Sequence, residues 1–212
     1  SNHEFRELFT ASPGQIMVGA DLAGIELRML GHYLGRWSES FADTLLNGDI
    51  HQQNADRVGV SRRQIKTITY AFIYGAGDAK IGHSYDSSLN DRTAKTKGKE
   101  IREAFVSAID GLSELLEAIK KASEKGFVRS IDGRKILLDS PHKALNYLLQ
   151  SGAGTVAKRW LLINQQTIES TKLCCAQLAF VHDELQFECH PAHAADLSAS
   201  LVYSAAAAGE YY

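Results

Sequence analysis

The chain has 212 residues, 44% of them hydrophobic and 23% charged, which is enough for one large domain or two small ones with a substantial core. No apolar run is long enough to cross a bilayer and no signal peptide is visible, so a membrane protein is not expected. Cys174, Cys175 and Cys189 form an odd set with a poorly bridging adjacent pair and no zinc spacing, which points to a reduced compartment. The net charge of -2 argues against a wholly basic nucleic-acid binder, yet residues 61–143 carry 16 Lys or Arg against 11 Asp or Glu, while the flanks carry 7 against 14.

That basic middle suits phosphates, and the acidic ends suit a divalent metal. A solvated surface of mixed charge would give similar counts. After Pro13-Gly14, the apolar run Gln15 to Asp21 reads as a strand that ends on a carboxylate, and Ile25 to Leu34 follows with helical spacing. Helical patterns recur at Phe41 to Leu46, His51 to Val58, Ser61 to Tyr74, Thr93 to Ile109 and Leu112 to Lys125. Phe127 to Ser130 and Lys135 to Asp139 flank Asp132-Gly133, a hairpin signal, and Pro141 opens a long helix reaching about Thr171. Ala176 to Cys189 reads as two strand-like halves around a three-residue polar tip, His182-Asp183-Glu184, and Pro191 starts a last, alanine-rich helix. Strands at both ends with helices between predict one sheet assembled from the two ends of the chain.

Two features carry chemistry. In Arg62 to Gly77, Ser61 and Gln64 form a capping box and Gly75-Ala76-Gly77 offers a stop. Ile65, Ile68 and Phe72 fall on one face, and Arg62, Lys66 and Tyr70 fall on another. Two cations and a phenol one turn apart fit a triphosphate and its sugar, although an ordinary amphipathic surface helix has the same pattern. The second feature is a pair of strand-end carboxylates, Asp21 and Asp183. If their strands pair, the two meet and repel unless a cation such as Mg²⁺ lies between them; alone, each reads as a helix cap or a turn residue.

Three segments taken together are more specific. DLAGIELRMLGHYL at Asp21 to Leu34, RRQIKTITYAFIYGAG at Arg62 to Gly77, and VHDELQFEC at Val181 to Cys189 resemble motifs A, B and C of family A DNA polymerases, in that order. GDIH at Gly48 to His51, DGRK at Asp132 to Lys135 and SPHKALNYLLQSGAG at Ser140 to Gly154 extend the resemblance over nearly the whole chain, with the strongest likeness to bacteriophage replicative members.

The resemblance implies an α+β fold: an antiparallel palm sheet carrying the catalytic aspartates, with a mostly helical fingers insertion and no thumb. The palm would take residues 1–40 and 127–212, and the fingers 41–126. It implies that Asp21 and Asp183 hold two Mg²⁺ ions, with the Leu22 carbonyl as an added ligand and Glu184 as a lesser acidic partner. Arg62, Lys66 and His51 match phosphate contacts, and Lys66 is in addition the proton donor to pyrophosphate. Tyr70 matches the position beside the sugar, Glu26 the residue that crowds a 2′-hydroxyl, and Tyr74 a tyrosine near the templating base, which otherwise reads as a core aromatic. His182 matches a contact at the primer terminus. Arg134, Asn146 and Gln150 match minor-groove contacts, the last two otherwise a polar stripe, and His142 stands where some relatives carry a basic DNA contact.

The expected partners are primer-template DNA, deoxynucleoside triphosphates, and the thumb and upstream domains of a longer polymerase. No membrane is among them, and the truncated palm is expected to self-associate. The expected location is the cytoplasm of a bacterial host, as a viral or prophage protein. Ser1-Asn2 reads as an expression remnant, and the polar stretch Tyr85 to Lys99, less alike, is expected to be a mobile fingers loop. Two other readings stay open. One is a catalytically impaired nucleic-acid-binding or assembly fragment of such a polymerase. The other is a single-subunit RNA polymerase, against which Glu26 speaks.

Overall fold

Apolar residues following the Pro13-Gly14 turn extend into strand β1 (Ile16–Asp21) in the computed structural model, which describes residues 7–212. Ser1-Asn2 and the other first residues of the 1–40 segment lie outside the described residues. Helices α1 (Ile25–Leu34), α2 (Ser40–Asn47), α3 (Ile50–Val58), α4 (Arg62–Ile73), α5 (Asp78–Tyr85), α6 (Asp91–Ala108) and α7 (Leu112–Ser123) follow. Then come strands β2 (Phe127–Arg129) and β3 (Lys135–Leu137), helix α8 (Ala144–Thr171), strands β4 (Cys175–Val181) and β5 (Glu184–Cys189), and helix α9 (Ala194–Glu210). Single turns of 3-10 helix at Pro141–Lys143 and Pro191–His193 lead into α8 and α9, each with proline where a missing N–H costs nothing.

The chain divides into two compact units. One comprises the described residues up to Ile25 together with Ala153–Tyr212, and the other is Glu26–Gly152. In the first, the strand order is β1-β5-β4 and both pairings are antiparallel, so one sheet is drawn from both ends of the chain as expected. Leu185, Phe187 and Cys189 alternate into the core along β5, with Phe187 opposite the buried Val18 of β1. Trp160 of α8 is fully enclosed and donates from Nε1 to the Leu201 carbonyl of α9 at 2.9 Å, which gives its one polar atom a partner.

The second unit is helical apart from the β2–β3 hairpin, whose Gly133 has φ 83° in the expected turn. Ile65, Ile68, Phe72 and Ile73 bury one face of α4, and Phe72 packs on Phe105 of α6 with ring centroids 5.0 Å apart.

Helix α5 is not among the elements expected from sequence, and α6 corrects another expectation. Only Asp86–Asn90 of the stretch expected as a mobile loop lies outside helices. Asn90 caps α6 by accepting from the Thr93 amide at 3.0 Å, so of the two expectations for residues 93–99 the helical pattern holds and the loop does not. One face of α6 buries Ala94 and Gly98 against α5.

Candidate nucleotide and metal sites

In the helical unit the capping box forms as its residues predict. The Ser61 amide donates to Gln64 Oε1 at 3.0 Å, and the Gln64 amide donates to Ser61 Oγ at 3.3 Å. That start fixes the rotation of α4, leaving Arg62 and Lys66 exposed and Tyr70 half-buried one turn apart, with Tyr74 exposed just past the helix end. His51, in the first turn of α3, lies beside them with its ring 6.4 Å from that of Tyr70. Its buried Nδ1 has no hydrogen-bond partner among the described residues. Burial first, then the charges of Arg62 and Lys66, hold its pKa below the ordinary 6.5, against a smaller opposing pull from Asp49.

Glu26 joins the same group, because the Tyr74 hydroxyl donates to its Oε1 at 2.8 Å. Burial, then the Glu26 charge, raises the pKa of Tyr70 above the usual 10.0. All six residues expected to handle a nucleotide, His51, Glu26, Arg62, Lys66, Tyr70 and Tyr74, are therefore linked in one cluster within one unit.

Two residues in this region escaped sequence reasoning. Asp49 caps α3 by accepting from the Gln52 amide at 3.0 Å and also receives Arg62 Nε at 2.8 Å. That bond from Arg62, then the Gln52 amide, holds the Asp49 carboxyl below 3.8. The guanidinium expected to grip phosphate thus has a resident carboxylate partner, and the Asp49-x-x-Gln52 spacing was the available signal. Arg102 of α6 gave none. Its Nε donates to Asp78 Oδ1 at 2.6 Å, another nitrogen donates to the Ala76 carbonyl, and the guanidinium lies 5.6 Å from the Phe72 ring centroid. It pins the segment that leaves α4.

In the other unit, Asp21 ends β1 directly opposite Glu184, and the Leu22 amide donates to the Asp183 carbonyl at 3.0 Å. Residues 21, 22, 183 and 184 thus share one end of the sheet. The expected three-residue tip is two residues long, because Val181 pairs with Glu184 and leaves only His182-Asp183 in the turn. His182 takes φ 58°, a conformation uncommon outside glycine, for which histidine is among the more tolerant residues. Glu184 belongs to β5 and accepts a hydrogen bond from Gln186 Nε2, two residues along the same face. Gly19 lies opposite Gln186 and makes room for it, since a Cβ there would sit 2.5 Å from Nε2.

Among the described residues, no three His, Cys, Asp or Glu side chains converge as a metal cage. Two aspartates and a backbone carbonyl are still a fitting donor set for Mg²⁺, which takes hard oxygens from one or two carboxylates and completes its octahedron with water and substrate phosphate.

The residues expected to contact DNA differ in their surroundings. Arg134 donates from Nε to Asp132 in the β2–β3 turn. Asn146 and Gln150 share a face of α8 by spacing, but Asn146 is 9% exposed and Gln150 is open, so they are not one polar surface stripe. The Asn146 Nδ2 lacks a partner among the described residues, a donor left for something else to satisfy. His142 is exposed.

The sequence model of DNA polymerase family A matches residues 1–208 of this chain. The chain belongs to DNA polymerase family A. It is 32% identical over 197 residues to the DNA-directed DNA polymerase of Escherichia phage T7, covering 82% of this chain and 27% of that protein. It is 25% identical to DNA polymerase I of Aquifex aeolicus (strain VF5), with 99% of this chain and 38% of that one covered. The chain therefore spans well under half the length of these relatives. Its fold is similar to that of the POL domain of Pol1 from M. smegmatis, solved in complex with DNA primer-template and dNTP, with a TM-score of 0.78, 23% identity, and 96% of this chain and 39% of that one covered. No helix among the described residues is long and apolar enough to cross a membrane.

Proposed function

We propose that this chain is the palm and fingers core of a template-directed DNA polymerase, which adds deoxynucleoside triphosphates to a primer 3′ end. The palm comprises residues 1–40 and 127–212, and the fingers 41–126. The observation that carries the reading is the linked cluster of His51, Glu26, Arg62, Lys66, Tyr70 and Tyr74, which combines cations, a flat ring and a carboxylate in the proportions a nucleotide requires.

Arg62 and Lys66 hold the triphosphate as charge-assisted donors, with Arg62 exchanging Asp49 for phosphate. His51 adds a third contact, and the arriving phosphate charge favours its protonated form. Lys66 donates a proton to the departing pyrophosphate. Tyr70 lies against the sugar, Glu26 excludes a 2′-hydroxyl, and Tyr74, held by Glu26, abuts the templating base. Asp21, Asp183 and the Leu22 carbonyl would hold two Mg²⁺ ions, with Glu184 as a supporting acid. When bound, these ions supply activation of the primer hydroxyl and screening of the leaving group. His182 touches the primer terminus. Arg134, Asn146 and Gln150 contact the duplex from the minor groove, with Gln150 the open one of the helical pair. The partners are primer-template DNA and the remaining domains of a longer polymerase, and the setting is the cytoplasm of a bacterial host.

Primer extension with Mg²⁺ tests this. A polypeptide that includes the upstream region the longer relatives carry should extend a primer with deoxynucleotides and far less with ribonucleotides, and Asp183→Ala should abolish extension. No extension by the unsubstituted polypeptide would refute the proposal, and ribonucleotides used equally well would favour an RNA polymerase.

A further inference from the structure

Two of the three cysteines face each other across a strand pair. Cys175 of β4 is the direct partner of Cys189 of β5, at the end of the hairpin opposite the His182-Asp183 turn. The rung type follows from the ladder. His190 donates its amide to the Cys174 carbonyl at 3.4 Å, which makes residues 174 and 190 a hydrogen-bonded pair. Rungs alternate in an antiparallel ladder, so 175 and 189 form the neighbouring non-hydrogen-bonded pair. In such pairs the Cα atoms approach to about 4.5 Å and the side chains share one face. A disulfide accepts Cα separations of about 4.4–6.8 Å. Cys189 is fully buried, Cys175 is partly covered, and Cys174 is exposed at the alternate position.

We propose that Cys175 and Cys189 are a cross-strand dithiol that closes to a disulfide in the folded protein when a low-molecular-weight disulfide oxidant is present. The Cys175 thiolate attacks one sulfur of oxidised glutathione, breaking that S–S bond and releasing one glutathione thiolate. The Cys189 thiolate then attacks the Cys175 sulfur and displaces the second glutathione. Two protein thiols lose two protons and two electrons, and the oxidant gains them as two thiols. Burial raises both thiols above the usual 9.0, with the charges of Cys189 and then Cys174 adding to the rise at Cys175 and that of Cys174 at Cys189. The dithiol is therefore slow to react and persists reduced until oxidant accumulates. The bond would close a loop of about 15 residues that includes the Asp183 turn, constraining the unfolded chain and raising the melting temperature by roughly 5–10 °C. This site is independent of whether the chain polymerises.

The test treats the native, fully reduced chain with oxidised glutathione, quenches free thiols, and digests it with a protease that cleaves after glutamate. No Lys or Arg follows Lys172, so trypsin would leave all three cysteines on one peptide, whereas cleavage after Glu184 and Glu188 separates Cys175 from Cys189. The proposal expects a linked pair of peptides lighter by two hydrogens, retained in Cys174→Ser, lost in Cys175→Ser, and reversed by dithiothreitol together with the rise in melting temperature. Absence of the link in the unsubstituted chain at excess oxidant, or its persistence in Cys175→Ser, would overturn it. The decisive readout uses the native sequence, so misfolding of a variant does not obscure the result.

Discussion

Helices α5 and α6 can cross as closely as they do because residue 98 has no side chain. A Cβ built on Gly98 would lie 1.7 Å from the Asp78 carbonyl oxygen, 2.6 Å from its carbon and 2.8 Å from the Gly82 nitrogen. All three are backbone atoms, so no rotamer change relieves the clash, and ordinary contact at 3.4 Å or more requires the helices to part by about 1.7 Å. Overpacking costs up to about 3 kcal/mol, and alanine's better helix propensity returns about 1 kcal/mol. Gly98→Ala should therefore destabilise the chain by about 2 kcal/mol and lower its melting temperature by roughly 4–8 °C. Gly154, inside α8, is the control. A Cβ there meets nothing within 4 Å, so Gly154→Ala should stabilise by about 0.5–1 kcal/mol. Thermal melting followed by far-ultraviolet circular dichroism measures both. A Gly98→Ala chain that melts at or above the unsubstituted protein would refute the reasoning.

At the proposed sugar position, the Tyr70 hydroxyl can stand in for a missing 3′-hydroxyl, so dideoxynucleotides should be used readily and Tyr70→Phe should discriminate against them, while Glu26→Ala should admit more ribonucleotides; unchanged incorporation ratios would remove those assignments. Tyr74→Phe deletes the hydrogen bond to Glu26 Oε1 and should cost about 1 kcal/mol in a melting experiment. Arg102→Met should destabilise the helical unit by roughly 1–3 kcal/mol, and a double-mutant cycle with Asp78→Ala should be clearly non-additive, since both substitutions remove the Arg102–Asp78 ion pair. His51 has a depressed folded pKa, so the folded state resists its protonation. The stability it contributes is complete above about pH 6.5 and is lost as pH falls through the folded value. Lys66→Met should move the His51 midpoint upward in an NMR titration, and a midpoint that stays put would show that the Lys66 charge does not reach it.

Residues that act through their neighbours along the chain are legible in the sequence by itself. Ser61 and Gln64 announce the start of α4, the four-residue spacing of Arg62, Lys66 and Tyr70 places them on one face, and Asp132-Gly133 predicts its turn. Helix α1 runs over Ile25–Leu34 as its periodicity predicts. These depend on torsions and periods that a short peptide already contains. Short-range patterns could not supply α5, whose eight residues make a weak helix alone and are held by a glycine-mediated crossing with α6. Nor could they place Arg102 on Ala76 and Asp78, bury Asn146 while Gln150 stays open, or turn Glu184 toward Gln186. The adjacency of Asp21 to the Asp183 turn and of Cys175 to Cys189 is a matter of strand register. Between β1 and β5 the register is set where residues more than 150 positions apart choose a common core face, and along β4 it is shifted by an irregularity between Gln177 and Ala179; only the folded sheet decides either.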